Sequence, residues 1–368
     1  MGVTFGSASA PSQKTVNLDS LFSQSLPAYK KKMMDNISSS NAFLYEIIGK
    51  DGKGGKSYES QTGTHIEIPL MYALAAMDWY DGYDELPTLP VDGVTNAIYQ
   101  WRQAASAIAY SEKERKQNKN GLLKLVATRI QQSELGILEG FATALLQGSV
   151  NSGGSLITPA SSGVNGATGI DPLPLLVAFD PTASLSIGNI NQNTSAWWRN
   201  KTKTASVTSS STYAAFLSEF DNMFNTAALG TGGKPTLILV DQTTYELIVH
   251  AYYEKYRQTS SDMSYPFDNI MFKGAKIVMD DKVPDVYSGV ASTETYGTAY
   301  FLNMQYFGIT YEPETDFVMA KDENGKSFQK PTNGDSRIGH VIWMGNTTVS
   351  NRRKQAVYGK IPRTLVES

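Results

Sequence analysis

Residues 121–147 constrain the fold most strongly, because their apolar side chains recur at the spacing of one long α-helix. The apolar stripe consists of Leu122, Val126, Ile130, Ile137, Phe141 and Leu145, widened by Leu123, Leu138 and Leu146. At about 1.5 Å per residue this helix is roughly 40 Å long, and the glycine that follows at position 148 ends it. A helix of this length suits a backbone element that spans a flat molecule.

The second half of the chain alternates between helix-like and strand-like segments. Residues 213–229 and 242–257 have amphipathic helical spacing, whereas residues 235–241 and 273–279 are short apolar runs typical of buried strands. This alternation predicts an α/β lobe. The closing strands are predicted at residues 298–303, 306–311, 341–349 and 356–361. With the long helix, these segments predict an α+β fold of two or three lobes, which suits a chain of 368 residues.

A strand at residues 65–70 and a longer strand at residues 95–111 flank an acidic, aromatic segment, residues 78–85. The sequence therefore predicts an extended two-stranded excursion. Such a hairpin is marginally stable alone, so it needs another surface to lie on. We expect Trp79, Tyr80 and Tyr83 to anchor it on a neighbouring subunit, since aromatic side chains dominate such contacts.

The same segment holds four carboxylates, so a hard-cation site is the alternative interpretation. The spacing of these carboxylates is not that of an EF-hand loop, which favours a solvated or interface loop.

Composition excludes several classes of site. The chain has no cysteine, so disulfides, zinc–cysteine sites and thiol catalysis are excluded. Its three histidines, His65, His250 and His340, are far apart in sequence, and no metal site is expected. The formal net charge is −3, whereas a protein whose main task is binding DNA usually has a basic excess. No apolar run is long enough for a membrane span, so no membrane contact is expected.

No spacing typical of catalysis occurs, so we expect no enzyme activity, no catalytic residue and no cofactor. Residues 49–57 approach a phosphate-binding P-loop, but Lys50 stands where the first glycine is needed and no amphipathic helix follows. The glycine-rich residues 230–234 precede a strand, which is the wrong order for a dinucleotide-binding fingerprint. Asp280 and Asp281 are adjacent, and neighbouring residues on a strand point to opposite faces.

Short motifs occur in a characteristic order along most of the chain. They are YQWRQ at 99–103, SEKE at 111–114, SIGNIN at 186–191, AWWRN at 196–200, DQTTY at 241–245, FKGA at 272–275, MDD at 279–281, YFLN at 300–303 and GNTTVSNRR at 345–353. Their order resembles that of tailed-bacteriophage major capsid proteins with the Hong Kong 97-type fold. The resemblance covers roughly residues 60–361, and AWWRN and GNTTVSNRR are its most specific motifs.

This resemblance implies a wedge-shaped α+β subunit with an N-terminal arm, an extended β-hairpin loop, a peripheral domain with a long spine helix, and an axial domain. The corresponding ranges are 1–57 for the arm, 58–111 for the extended loop, 112–205 for the peripheral domain with the spine helix at 121–147, 206–298 for the axial domain, and 299–368 for strands that return to the peripheral domain. In the family the extended loop lies over a neighbouring subunit.

The resemblance also implies the partners. They are further copies of the chain in hexamers and pentamers, portal and scaffolding proteins with or without cement proteins, and enclosed double-stranded DNA bound without sequence specificity. The expected location is the virion capsid, assembled in the host cytoplasm. The arm before the first predicted strand is short, so either scaffolding is a separate protein or this form is already processed, and the initial Met1 favours a separate protein.

Further contact residues are predicted in the resembling motifs. Trp101 and Arg102, in the strand that returns from the loop, are expected to contact a neighbour. Arg352 and Arg353 pair with a neighbour's carboxylates or, alternatively, lie in a solvated turn. For the adjacent pair Trp197 and Trp198 an intramolecular core position is favoured.

Two other functions remain open from the sequence. An encapsulin-type compartment has the same fold but houses cargo enzymes, and a tail or adhesion protein would use a long loop and tyrosine-rich strands to contact host glycans.

Overall fold

The computed structural model describes residues 43, 44, 47, 56–59, 63–75, 77, 79–83, 92–117, 125–148, 169–257, 270–289, 295–321, 327–331 and 334–366. Most of the predicted N-terminal arm lies outside these residues. Within them the chain has a mixed helix-and-sheet fold with two main sheets, which agrees with the predicted α+β class. No helix of the described residues is long and apolar enough to span a membrane.

The strands, in chain order, are β1 (Lys56–Glu59), β2 (His65–Met71), β3 (Val94–Gln100), β4 (Arg102–Ser111), β5 (Ser186–Ile187), β6 (Ile190–Asn191), β7 (Lys201–Thr204), β8 (Leu237–Val240), β9 (Met271–Phe272), β10 (Ala275–Met279), β11 (Gly297–Leu302), β12 (Phe307–Tyr311), β13 (Val318–Met319), β14 (Ser336–Val349) and β15 (Ala356–Ile361). The helices are α1 (Glu112–Gln117), α2 (Leu125–Leu146), α3 (Leu173–Leu176), α4 (Tyr213–Ala228) and α5 (Gln242–Arg257). Short 3₁₀ turns span Ala196–Trp198, Pro313–Thr315 and Arg352–Lys354.

The long helix predicted from the apolar stripe is confirmed as α2 over the described residues 125–146. It packs mainly against β4, and Phe141 meets the ring of Trp343 edge-on at 4.7 Å between centroids. The preceding helix α1 begins with a capping box, because Ser111 and Glu114 exchange backbone-to-side-chain hydrogen bonds of 3.0 and 3.1 Å. An ion pair of 3.2 Å between Arg129 and Glu114 then joins the two helices.

The predicted α/β lobe is confirmed as a six-stranded sheet of order β7-β15-β11-β8-β10-β9 with helices α4 and α5. All four residues of β8 are buried, as the apolar run predicts. Helix α4 begins where Thr212 accepts a hydrogen bond from the Ala215 amide, and it buries Phe216, Phe220 and Phe224 at one-turn spacing.

The five-stranded sheet is organised by β14, the longest strand. β14 pairs antiparallel with β12 and β13 and, over residues 336–345, with β4, while β1 pairs parallel with β12. Because β14 takes all of these partners except β1, it fixes the position of residues from very different parts of the sequence.

The predicted excursion is shorter than the sequence indicates. Residues 95–111 do not form one strand; the chain breaks at Trp101 into β3, which pairs only with β2, and β4, which belongs to the five-stranded sheet. The prediction of one long strand over residues 95–111 is therefore wrong, while the range 58–111 for the extended loop stays a prediction. An alternating apolar pattern indicates a strand but does not identify its partner, and here the partner changes in mid-run.

Candidate functional site

The end of the β2–β3 hairpin exposes apolar side chains. We call the described residues between 71 and 94 the hairpin tip. Trp79 and Tyr83 are 91% and 105% exposed, and Leu74 is 77% exposed. Of the 15 large hydrophobic side chains that are exposed among the described residues, 8 lie in this tip. Large exposed apolar patches on a folded protein are typical of sites that contact another macromolecule.

The same hairpin is buried at its other end. We call residues 65–70 and 95–100 the hairpin base. Ile66, Leu70, Ala97 and Tyr99 are buried in the largest apolar core of the molecule. The Tyr99 hydroxyl donates a hydrogen bond of 2.9 Å to the carbonyl of Val349 on β14 and accepts one of 3.4 Å from its amide. Burial raises the pKa of this phenol, so it remains a donor at all ordinary pH values.

A buried polar cluster holds the point where β3 becomes β4. The side-chain amide of Asn346 donates to the carbonyl of Gln100 at 2.9 Å and to the carboxylate of Asp171 at 3.0 Å. Arg102 lies 3.7 Å from the other carboxylate oxygen of Asp171. Burial raises the pKa of Asp171, while Arg102 and Asn346 oppose that rise. Fixing this point fixes where the hairpin leaves the body.

Trp101 and Arg102 already have intrachain partners. The indole of Trp101 donates to the carbonyl of Gly63 at 2.9 Å, and the Arg102 guanidinium faces Asp171. Both side chains are partly buried. Their contact with a neighbouring subunit stays a prediction, and the structure gives each of them a structural role at the hairpin base.

Arg352 requires a correction. It is fully buried, so it neither lies in a solvated turn nor pairs with a neighbour's carboxylates. Its guanidinium donates four hydrogen bonds of 2.8–3.1 Å, to the carbonyls of Leu176 and Trp198 and to the side chains of Gln192 and Asn200. Burial lowers the pKa of Arg352 to about 10, which leaves it charged at neutral pH. Arg353 is exposed, and its pairing with a neighbour stays a prediction.

The two adjacent tryptophans have different environments. Trp198 is 2% exposed, and its indole donates to the carbonyl of Ile187 at 2.9 Å, which confirms the intramolecular interpretation. Trp197 is only partly buried and stacks on Tyr72 with 5.1 Å between ring centroids.

A partly buried ion pair joins α2 to the six-stranded sheet. Lys282 follows β10 and lies 2.6 Å from Glu139 of α2, and it is almost completely buried. Beside it, the Asp280 carboxylate accepts a hydrogen bond from the Phe43 amide at 3.3 Å, and burial raises the pKa of Asp280. Asp280 and Asp281 thus take part in a junction between parts of the fold.

The geometry is suited to binding another macromolecule. The hairpin base, held by Tyr99 and Asn346, supports an apolar tip whose side chains are largely exposed. The sequence did not single out Tyr99, Asn346 or Asp171 as site residues. Tyr99 and Asn346 nevertheless lie in the motifs YQWRQ and GNTTVSNRR. Their positioning role depends on contacts between β3 and β14, which the sequence alone does not show.

The fold is similar to that of known shell subunits. The cyanophage A-1(L) capsid subunit matches with a TM-score of 0.63 at 12% identity, over 90% of this chain and 96% of that chain. The SrpI encapsulin of Synechococcus elongatus matches with a TM-score of 0.55 at 10% identity, over 95% and 98%. The Gordonia phage Cozz structure matches with a TM-score of 0.52 at 12% identity, over 97% and 99%.

These identities are low, so they show a shared fold, which is the one predicted from the motifs. No protein-family profile matches the sequence, and no curated protein sequence matches it.

Proposed function

We propose that this chain, which has the fold of phage-capsid and encapsulin subunits, is the major capsid protein of a tailed double-stranded DNA bacteriophage. It assembles with further copies of itself into a closed icosahedral shell. The observation that carries the proposal is the apolar hairpin tip, exposed on an ordered base in a chain that matches shell subunits almost end to end.

The tip provides the driving force for association. Side chains such as Trp79 and Tyr83 bury on the order of 150–250 Å² each when they are covered. Truncating a buried aromatic anchor of this kind typically costs about 2 kcal/mol or more of binding free energy. Since each subunit supplies one tip and receives another, modest contacts are repeated throughout a symmetric shell.

The proposed assembly consists of hexamers and pentamers, with portal and scaffolding proteins as further partners, with or without cement proteins. The proposed location is the virion capsid after assembly in the host cytoplasm. The net charge of −3 suits a wall that encloses DNA without adsorbing it strongly, because strong basic charge binds phosphates. Arg353, Trp101 and Arg102 are proposed as additional intersubunit contacts alongside Trp79, Tyr80 and Tyr83.

An encapsulin-type compartment is the second candidate, because the SrpI encapsulin matches over nearly all of both chains. The contents of the particle separate the two functions. Nuclease-resistant DNA inside particles from the native source supports the capsid, whereas a protein cargo without DNA supports the compartment. The tail or adhesion alternative has less support, because the two similar structures with the highest TM-scores named above are a phage capsid and an encapsulin.

The direct test is electron microscopy of the purified full-length chain over a range of concentrations, with and without a crowding agent. Closed polyhedral shells or rings of five and six subunits are expected. Monomers or open tubes under every condition would contradict the proposal.

A further inference from the structure

We propose that Trp197 positions the hairpin tip by stacking on Tyr72, and thereby sets the direction in which the tip meets a second subunit. This inference rests on the proposed function. It concerns Trp197, a residue outside the tip that is partly buried and packs against the edge of the largest core.

Tyr72 lies at the border between base and tip. It directly follows β2, its amide donates to the carbonyl of Gly93 at 2.8 Å, and its hydroxyl donates to the carbonyl of Asp92 at 2.8 Å. The two segments of the hairpin approach each other very closely here. A Cβ added to Gly93 would lie only 2.4 Å from the carbonyl oxygen of Ala73. Tyr72 therefore moves with both strands of the hairpin, and any contact that fixes its ring fixes them both.

The contact that fixes the ring is the stack on Trp197, with an interplanar angle of 23°. The three most exposed tip side chains, Leu74, Trp79 and Tyr83, lie beyond Tyr72 along the chain. The stack is thus the last aromatic contact between hairpin and body before the exposed segment begins, among the residues that the structure describes.

Trp197 is a rigid support. It shares a 3₁₀ turn with Trp198, and their rings are 5.7 Å apart. The backbone carbonyl of Trp198 accepts a hydrogen bond from Arg352, whose guanidinium also lies 5.8 Å from the Trp198 ring. The chain of contacts therefore runs from a fully buried cation, through Trp198 and Trp197, to the ring at the root of the tip.

This support acts on orientation more than on folding. Tyr72 is 40% exposed, and Trp197 is partly buried against the edge of the largest core, so the stack lies outside the fully buried interior. Without it, the tip is still tied by the backbone bonds of Tyr72 but swings more widely about them. A shell needs many tips in one orientation, so a small loss of order in each is repeated at every contact.

The experiment measures the orientation of the tip in the unassembled full-length chain. The chain has no cysteine, so Tyr80→Cys with Ser209→Cys, both at exposed positions, places two spin labels, one on the tip and one near the six-stranded sheet. Electron–electron double resonance then gives the distribution of distances. Trp197→Ala is expected to broaden it roughly two-fold, and Trp197→Phe, which keeps a ring, is expected to restore it.

Tyr287→Ala is the matched control, because Tyr287 is 42% exposed and packs edge-on against Phe179 and Tyr296, away from the tip. It is expected to leave the distances unchanged. In chains without labels, Trp197→Ala is expected to lower shell yield roughly ten-fold relative to this control at a similar melting temperature. A Trp197→Ala distribution as narrow as that of the parent would overturn the inference.

The two proposals fail separately. A parent chain that forms no shells contradicts the proposed function, while the distance distribution of the unassembled chain still decides whether Trp197 positions the tip. Shells that form normally while the distribution broadens contradict the role of Trp197 in assembly and leave the proposed function standing.

Discussion

The β8 strand and the hairpin tip are both rich in apolar residues, yet the side chains of β8 are buried and those of the tip are exposed. All four residues of β8 are covered by the helices and strands of its own sheet, whereas Trp79, Tyr83 and Leu74 at the tip face water. The first region satisfies its side chains within one subunit. The second does not, so the folded monomer leaves these side chains uncovered, and the proposed function assigns their cover to a second subunit.

The largest effect expected from a single change is in the buried cluster around Arg352, which holds residues 176–200. Arg352→Ala removes four hydrogen bonds and leaves buried acceptors without a donor, so we expect a loss of about 3–5 kcal/mol in the free energy of unfolding. Arg353→Ala, the exposed neighbour, is expected to stay within about 0.5 kcal/mol of the parent. Denaturant unfolding measures both, and equal effects would show that Arg352 is not the internal support.

The next effect separates folding from assembly. Trp79→Ala with Tyr83→Ala is expected to leave the unfolding free energy of the unassembled chain within about 0.5 kcal/mol, because both side chains are exposed. Each intersubunit contact is expected to weaken by about 2 kcal/mol or more, with a large loss of particles in electron microscopy. The control is Leu229→Ala, another exposed apolar side chain, outside the tip. Normal particle yield and normal thermal stability of the particles in the double variant would show that the tip, like β8, needs no cover from a second subunit.

A smaller effect is expected at the hairpin base. Tyr99→Phe deletes the hydroxyl that bonds both backbone groups of Val349, and burial leaves no water to replace it. We expect the free energy of unfolding to fall by about 1–3 kcal/mol. The more telling measurement is hydrogen exchange, in which the amides of β3 should exchange faster while those of β8 keep their protection. Uniform loss of protection in both strands would contradict a local role.

The smallest effect is a pH dependence at the same base. Burial raises the pKa of Asp171 above its ordinary value of 3.8, so the folded state binds this proton more tightly than the unfolded state. The protonated Asp171 therefore stabilises the folded state below pH 3.8, and this stabilisation is lost as the pH rises through its raised pKa. Asp171→Asn removes this dependence.

The measurement is the difference in unfolding free energy between parent and Asp171→Asn as a function of pH. The parent is expected to lose stability relative to the variant as the pH rises. Burial also raises the pKa values of Asp241 and Asp280, but both residues are present in both proteins, so their contributions cancel in the difference. A difference that grows in the opposite direction would show that Arg102 outweighs burial.

Local pattern predicts much of this fold and little of the site. The period of the apolar stripe in α2 and the buried run in β8 are local properties, so both elements could be read from the sequence. The break at Trp101 could not, because β3 and β4 alternate alike and only their partners differ.

Arg352 and Arg353 make the same point for charged residues. They are adjacent in one short turn, yet one is fully buried and the other is exposed. The difference arises from residues 176–200, which fold around one guanidinium through Leu176, Gln192 and Asn200. The sequence indicated the aromatic tip because Trp79, Tyr80 and Tyr83 are clustered in one acidic segment. The residues that hold the hairpin base could not be identified in this way, because their contacts join distant parts of the chain.

The pairing of β14 has a mechanical consequence. A pull on the tip travels along β3 to Tyr99, and from there through Val349 into a strand of 14 residues. β14 is held sideways by hydrogen bonds to β4, β12 and β13, which lie perpendicular to its length. A load along the strand therefore shears many bonds at once instead of unzipping them one by one, so the sheet resists a load along β14 in its strongest direction.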